Sequence, residues 1–319
     1  MTTVPATSSP SALPAASADT CQSELVTLSP WGGVLAPIVV GMWRLDEWPE
    51  RRQALADWMN ACIELGLTSF DVADIYGGYQ CERWVGEALA TGSVKRENIQ
   101  IVTKCDICLP CEGRPEWSTH HYNTDPDYLT HAVERSLSSL GTDYIDLLLL
   151  HRPDPLMNAD EVAEALQALQ NSGKVRAFGV SNFTPSQFAL LQSRWPQLVT
   201  NQIEMSLLQR QSLWDGTLDQ MQQLRVRPMA WSPLGGGQLF DEAANPELYR
   251  VMQAIASQHN TSVAVIALAW LLRHPAGVLP VLGTGKLERI REMHSALNLK
   301  LSREEWFGLL TAAQGHPIP

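Results

Sequence analysis

Three ionisable residues end apolar stretches of the chain, and a fourth lies in the loop after one of them. Asp71 and Lys104 each end a short strand-like run, and His151 ends a run that contains four consecutive leucines. Tyr76 lies in the loop after Asp71. Burying a charge beside such runs costs several kcal/mol unless it is paired, so an Asp71–Lys104 ion pair would account for two of them. Four such residues near neighbouring strand ends indicate a reaction centre.

The types of these residues suit proton transfer to a carbonyl oxygen. A tyrosine hydroxyl has a reference pKa of ~10 and is by itself a poor proton shuttle at neutral pH. A cation within ~4–6 Å lowers that pKa, so we predict that Lys104, held by Asp71, tunes Tyr76. A neutral His151 would orient the substrate oxygen. None of the four is a hydride source, so reduction of the carbonyl requires a cofactor.

Eight strand-like runs alternate with helical patterns along the chain, and these elements must position the four residues. The strand candidates are Ile38–Trp43, Thr68–Asp71, Ile99–Lys104, Ile145–His151, Val175–Val180, Leu198–Ile203, Pro228–Trp231 and Val278–Leu282. Strands separated by helices pair in parallel through right-handed crossovers, which predicts a (β/α)8 TIM barrel of the α/β class. A doubly wound open sheet is the alternative, but the sequence has no G-x-G-x-x-G motif.

Local signals fix several helix boundaries. Asn158 and Glu161 have the spacing of a capping box, as have Thr184 and Gln187, with Pro185 at the first helical position. Ser302 is predicted to begin a last helix outside the barrel.

The parts that flank the barrel are also predicted. Residues 1–23 are interpreted as a disordered tail, because they are rich in Ala, Ser, Thr and Pro. Residues 24–319 are predicted to form a single barrel domain, which opens with a β-hairpin within Glu24–Pro37.

Composition excludes several classes of protein. The chain has 319 residues and a net charge of −11, with no cluster of basic residues, so we expect no nucleic-acid partner. The longest apolar run, Val263–Leu272, has ten residues, whereas a membrane span needs ~20. The N-terminal segment has the features of neither a secretory signal nor a mitochondrial leader. We therefore expect a cytoplasmic protein that needs no membrane and no protein partner.

Three of the six cysteines form a C-x2-C-x2-C run, Cys105, Cys108 and Cys111. Such a run is compatible with a metal or iron–sulfur site, or with free thiols in a loop. A fourth cysteine at cluster spacing is missing, although His120 and His121 lie nearby, so we predict no metal site.

Longer motifs carry a family resemblance. Residues 70–77 (FDVADIYG), 101–104 (IVTK), 143–151 (DYIDLLLLH) and 173–183 (GKVRAFGVSNF) resemble, in this order, the signatures of the aldo-keto reductases. The resemblance extends from about residue 35 to about residue 315 and looks closest to a bacterial subgroup of poorly characterised oxidoreductases. It implies that Tyr76 is the general acid/base, that Lys104 and Asp71 tune it, and that His151 orients the carbonyl of a small-molecule substrate.

The resemblance also implies a nicotinamide cofactor. Ser181, Asn182 and Gln202 match the positions that hold the carboxamide, and Trp231 matches the aromatic residue that stacks on the nicotinamide ring. The other positions that match cofactor contacts are Gly41, Trp43, Asp71, Ser232, Pro233, Leu234, Gly235, Gly283, Thr284, Lys286, Arg289 and Glu292.

NADPH is favoured over NADH, because the segment with Lys286 and Arg289 matches the binding site of the adenosine 2′-phosphate. Two positions depart from the family pattern: Gly283 stands where many relatives have Lys, and Met293 replaces a frequent Asn. Lys286 is a candidate to compensate. Trp43 has two interpretations, a wall of the substrate site or a core residue.

Two other functions are compatible with parts of this pattern. Some family members are redox-sensing or regulatory subunits that bind the nicotinamide with little turnover. A Schiff base on Lys104, as in aldolases, would use the barrel without a hydride, but it leaves the cofactor segments unexplained.

Overall fold

The computed structural model describes residues 24–48 and 52–318. Its strands are β1 (Val26–Ser29), β2 (Gly32–Leu35), β3 (Val39–Gly41), β4 (Ser69–Asp71), β5 (Gln100–Cys105), β6 (Ile107–Cys108), β7 (His121–Tyr122), β8 (Leu147–Leu150), β9 (Phe178–Ser181), β10 (Leu198–Glu204), β11 (Met229–Trp231) and β12 (Leu279–Leu282). Eight of them, β3, β4, β5, β8, β9, β10, β11 and β12, close into a parallel barrel in that order.

Helices connect the barrel strands and cover its outside. They are α1 (Gln53–Glu64), α2 (Tyr76–Tyr79), α3 (Cys81–Leu89), α4 (Pro126–Leu140), α5 (Ala159–Asn171), α6 (Pro185–Gln192), α7 (Thr217–Leu224), α8 (Pro246–Gln258), α9 (Val263–Leu272), α10 (Leu287–His294) and α11 (Arg303–Gln314). Short 3-10 helices occupy Leu45–Glu47, Arg96–Asn98, Gln211–Leu213, Gly235–Phe240 and Ser295–Asn298.

The predicted (β/α)8 barrel is confirmed, and each of the eight predicted strands contributes one barrel strand. Most of these strands are shorter than the apolar runs that predicted them. The predicted hairpin is also present as β1 and β2, which pair antiparallel with Val26 opposite Leu35. The tail predicted for residues 1–23 lies outside the described residues.

The capping signals are confirmed at two helices and are wrong in detail at a third. Thr184 with Gln187 and Ser302 with Glu305 form complete capping boxes at α6 and α11. Asn158 caps α5 through the amide of Asp160 at 3.1 Å. Because the Asn158 side chain bonds to this nearer amide, the expected reciprocal contact with Glu161 is not made.

Two features go beyond the predicted pattern. The loop after β5 contains a small hairpin, β6 paired with β7. Between β11 and β12 there are two helices, α8 and α9, and seven of the ten residues of α9 are buried. Within the described ranges, no single helix has the length and apolarity to cross a membrane; α8 and α9 meet that test only together, across a bend of 92°.

Helices α3 and α4 approach each other closely at Gly86. A methyl group built on Gly86 would overlap the backbone carbonyl oxygen of Ser139 and lie 2.9 Å from the carbonyl carbon of Leu140. Because backbone atoms cannot move aside like a side chain, this contact requires glycine and fixes the packing of the helix that follows the Tyr76 loop.

We expect Gly86→Ala to lower the free energy of unfolding by ~1–3 kcal/mol, the usual effect of overpacking. Gly308→Ala is the matched control, because Gly308 lies inside α11 with open space at its Cβ position. There alanine should be neutral or stabilise by ~0.5–1 kcal/mol. Urea unfolding of both variants measures the difference, and equal stabilities would contradict the packing argument.

Candidate active site

A cleft of about 730 Å³ opens at the rim of the barrel, the edge where the strands reach their carboxyl ends. Most of the predicted site residues line it: Gly41, Trp43, Asp71, Tyr76, His151, Ser181, Asn182, Gln202, Trp231, Ser232, Pro233, Leu234, Gly283, Thr284, Arg289 and Glu292. Lys104, Gly235 and Lys286 are not part of this lining. The fold therefore brings residues from all parts of the chain to one cleft.

Lys104 lies fully buried behind the lining. Its Nζ donates to Asp71 Oδ1 at 2.6 Å, to the carbonyl oxygen of Val72 at 2.9 Å and to the Tyr76 hydroxyl at 3.2 Å. An ammonium group has three hydrogens, and these three acceptors use all of them. The Tyr76 hydroxyl is thus fixed by a buried cation at the floor of the cleft.

The pKa of Tyr76 is raised above its ordinary value, because burial outweighs the opposing effect of Lys104. The expected lowering by Lys104 is therefore present but does not decide the net direction. Burial alone would lower the pKa of Lys104, but Asp71 and Tyr76 outweigh it, so the net pKa is raised. At neutral pH the site holds a protonated phenol beside an ammonium group.

His151 faces the same space as Tyr76, with ring centres 5.8 Å apart. Burial, with the positive charges of Lys104 and Arg152, holds the pKa of His151 well below its ordinary value, so the imidazole is neutral at pH 7. Its buried Nδ1 has no hydrogen-bond partner among the described residues. This favours the tautomer with the proton on Nε2, which can donate to a ligand oxygen.

A chain of hydrogen bonds runs from Asp71 across the cleft floor. Gln202 Nε2 donates to Asp71 Oδ2 at 2.7 Å, so the carboxylate binds Lys104 with one oxygen and Gln202 with the other. Ser181 Oγ donates to the carbonyl oxygen of Gln202 at 2.9 Å and accepts from Asn182 Nδ2 at 2.8 Å. The predicted carboxamide residues are therefore tied to the predicted catalytic residues.

Trp231 completes this chain, because its Nε1 donates to Asn182 Oδ1 at 2.9 Å. With Oδ1 facing the indole, the Asn182 amide keeps one N–H that is not used by Ser181. Asn182 also has a φ of +59°, an uncommon value outside glycine that is frequent at binding sites. The donors and acceptors offered here match those of a nicotinamide carboxamide, which has one carbonyl and one amino group.

The loops after β11 and β12 form the far end of the cleft. Arg289 and Glu292 line it from the first turns of α10, where backbone amides favour an anion. Gly235 faces away, since a Cβ there would lie 2.8 Å from Leu208 Cδ1. Lys286 precedes α10 with an exposed side chain, so Arg289 is the basic residue of this predicted segment that lines the cleft.

Gly41 lines the cleft at a point where β3 and β12 approach each other closely. A Cβ at Gly41 would lie 2.7 Å from the carbonyl oxygen of Leu282. Trp43, two residues on, is 59% exposed and lines the cleft, so its interpretation as a core residue is wrong. The chain turns out of the barrel directly after Gly41, which carries Trp43 to the surface.

Sequence reasoning missed several residues of the cleft. Arg44 and Arg152 follow directly on predicted site residues, and Ile107 lies on the small hairpin β6. The other lining residues that were not predicted are Ile75, Gly236, Gly237, Phe240, Ser262, Val263, Ala264, Val281, Leu282 and Met293. For the two arginines the signal was available, since each is a charge next to a strand end.

The cysteine run does not form a cluster. Cys105 and Cys108 are buried, and burial raises the pKa of both thiols. In residues 24–48 and 52–318, no group of three or more His, Cys, Asp or Glu side chains converges on a possible metal position.

Comparison with known proteins identifies the family. The model of the aldo/keto reductase family matches residues 37–309. The chain belongs to the aldo/keto reductase family. It is thus a nicotinamide-dependent oxidoreductase of a family that reduces small-molecule carbonyl compounds.

Several bacterial members are similar over nearly their whole length. The chain is 49% identical to oxidoreductase YdhF of Escherichia coli K12, over 92% of this chain and 99% of that protein. It is 47% identical to a 6-dehydroglucose reductase of Agrobacterium fabrum, over 89% and 96%. An aldo-keto reductase structure from Klebsiella pneumoniae, in complex with NADPH, superposes with a TM-score of 0.74 at 29% identity, over 92% and 96%.

Proposed function

We propose that this aldo/keto reductase uses NADPH to reduce an aldehyde or ketone to the alcohol, with Tyr76 as the proton donor. The observation that carries the proposal is the position of the Tyr76 hydroxyl, 3.2 Å from the buried Lys104 Nζ and on the surface of the cleft. A phenol held this way combines an available proton with a cation that stabilises the phenolate left behind.

Each residue has its own role in the proposed reaction. A bound reduced nicotinamide supplies the hydride that adds to the carbonyl carbon. Tyr76 donates its proton to the carbonyl oxygen, and Lys104 stabilises the phenolate that forms. His151 donates a hydrogen bond from Nε2 to the same oxygen and orients the carbonyl. Asp71 keeps Lys104 in place. Through Gln202 and Ser181 it also positions the side-chain amide of Asn182, which would hold the carboxamide.

Replacing Tyr76 with Phe tests the proton donor. We expect Tyr76→Phe to lower kcat by at least ~10²-fold, because the general acid is lost while the ring is kept. NADPH binding, measured by fluorescence titration, should remain. Tyr249→Phe, on α8 and outside the cleft, is the control and should keep full activity.

A fully active Tyr76→Phe variant would disprove the role. If wild type binds NADPH tightly but oxidises it with no member of an aldehyde panel, a sensing subunit is favoured instead.

The pH profile of the reduction tests the protonation states. The pKa of Tyr76 is raised, so its proton stays on as pH rises, until beyond its reference value of ~10. The pKa of His151 is lowered well below its reference value of ~6.5, so the imidazole stays neutral as pH falls through that value. We therefore expect kcat/KM to stay level between about pH 6.5 and 9.5. A decline with a midpoint near neutrality would contradict these assignments.

The preference for NADPH rests on Arg289. It lines the far end of the cleft at the beginning of α10, where a guanidinium and backbone amides together suit a phosphate group. We infer that the adenosine 2′-phosphate binds there, with Glu292 beside the adenine and the segment Ser232–Leu234 over the pyrophosphate.

We expect Arg289→Met to weaken NADPH binding by about 10- to 100-fold and to leave NADH binding unchanged, because only NADPH carries the 2′-phosphate. Arg291→Met is the matched control, since Arg291 lies on the same helix but outside the cleft lining. Titrations of both variants with both nucleotides measure the effect, and equal losses for NADPH and NADH would refute the assignment.

A further inference from the structure

Arg152 has no role in the proposed reaction or in the proposed cofactor contacts. Arg152 follows His151 at the end of β8, is half-buried and lines the cleft. Its positive charge acts on both reacting side chains, because it lowers the pKa of Tyr76 and of His151. The guanidinium therefore lies near the point where the carbonyl would bind.

Within the part of the chain that the structure describes, the guanidinium of Arg152 has no acidic partner. Among the described residues it takes part in none of the ion pairs. The cleft itself is lined by two carboxylates, Asp71 and Glu292. Asp71 is occupied by Lys104 and Gln202, and Glu292 lies on α10 at the far end. A half-buried guanidinium without an ion-pair partner on the cleft surface has N–H donors available for the oxygen acceptors of a ligand.

The backbone of Arg152 is held by a buried side chain. Both carboxyl oxygens of Asp106 accept from the Arg152 amide at 3.2 Å, and Asp106 is fully buried. Asp106 itself has a φ of +96°, an uncommon value outside glycine. The neighbouring His151 amide donates to the carbonyl oxygen of Cys105 at 2.9 Å. Such a support fixes the backbone from which both the Arg152 and the His151 side chains extend toward the cleft.

The barrel order separates Arg152 from the phosphates of the cofactor. In the closed ring β3–β4–β5–β8–β9–β10–β11–β12, strand β8 lies directly opposite β12. Arg289 and Glu292 follow β12, whereas Arg152 follows β8. Arg44 follows β3, which is a neighbour of β12, so Arg44 lies on the cofactor side. The barrel order thus places Arg152 away from the cofactor phosphates and directly after His151, where the carbonyl compound would bind.

We propose that Arg152 is the specificity-determining residue of the substrate site and selects carbonyl compounds that carry a carboxylate or neighbouring hydroxyl groups close to the carbonyl. Its planar fork of N–H donors binds such oxygens in pairs. The other walls near the reacting side chains, Trp43 and Ile107, are apolar and supply no competing charge. The inference rests on the proposed reduction, because it assumes that the carbonyl binds at Tyr76 and His151.

Three aldehydes of similar size test the inference: succinic semialdehyde, which is anionic, glyceraldehyde, which is hydroxylated, and butanal, which has no other oxygen. The quantity measured is the ratio of kcat/KM for each oxygen-bearing aldehyde to that for butanal. Because the charge of Arg152 also acts on Tyr76 and His151, its removal changes all three rates, and the ratio cancels that common effect. A fall in the ratio reports the lost substrate contact.

We expect Arg152→Met to lower the ratio by about 10- to 100-fold for the anionic aldehyde, the hydroxylated one or both, and Arg152→Lys to lower it less. The aldehyde whose ratio falls more identifies the favoured oxygen group. Arg44→Met is the control for a general loss of positive charge in the cleft and should leave the ratio unchanged. NADPH titration of each variant checks that the cofactor site is intact.

Two results would overturn the inference while the proposed reduction stands. One is an equal loss for all three aldehydes in Arg152→Met, which would assign Arg152 to the electrostatics of Tyr76 and His151. The other is an equal fall of the ratio in Arg44→Met. If wild type reduces none of the aldehydes although it binds NADPH, the proposed reduction itself fails and the inference fails with it.

Discussion

The site depends on one buried ion pair, Lys104 with Asp71. Lys104 is fully buried, and an isolated ammonium group in that position would be destabilised by several kcal/mol. The pair forms because β4 and β5 are adjacent in register, with Asp71 opposite Val102, so that the side chains at the two strand ends meet at 2.6 Å. The pairing of β4 with β5 thus holds a buried cation beside the Tyr76 hydroxyl.

The same carboxylate connects the Lys104–Tyr76 pair to the predicted cofactor site. Asp71 accepts from Lys104 and from Gln202, and hydrogen bonds continue through Ser181 and Asn182 to Trp231. These residues come from strands on both sides of the barrel. In the proposed complex, one connected set of hydrogen bonds would orient both the nicotinamide and the carbonyl, and such orientation lowers the barrier of a reaction between two bound groups.

The sequence predicted the barrel well because each buried parallel strand is a short apolar run that ends in a polar residue. It predicted less well those properties of single residues that depend on tertiary contacts. The exposure of Trp43 depends on how the chain leaves β3, and the position of Gly235 depends on Leu208, from another loop. The net pKa of Tyr76 depends on the depth of burial, which no local pattern contains. The roles inferred for the individual site residues remain predictions.

The role proposed for Arg152 depends on tertiary structure and not on its neighbours in the sequence. Arg152 follows directly on the last residue of a family signature, and a charge after a strand is common on protein surfaces. Its meaning depends on three facts of the fold: the buried Asp106 that holds its amide, the lack of an acidic partner among the described residues, and its place opposite β12. In the proposed complex the cofactor phosphates lie on the β12 side of the rim. Arg152 lies on the opposite side and is the cleft arginine that directly follows His151.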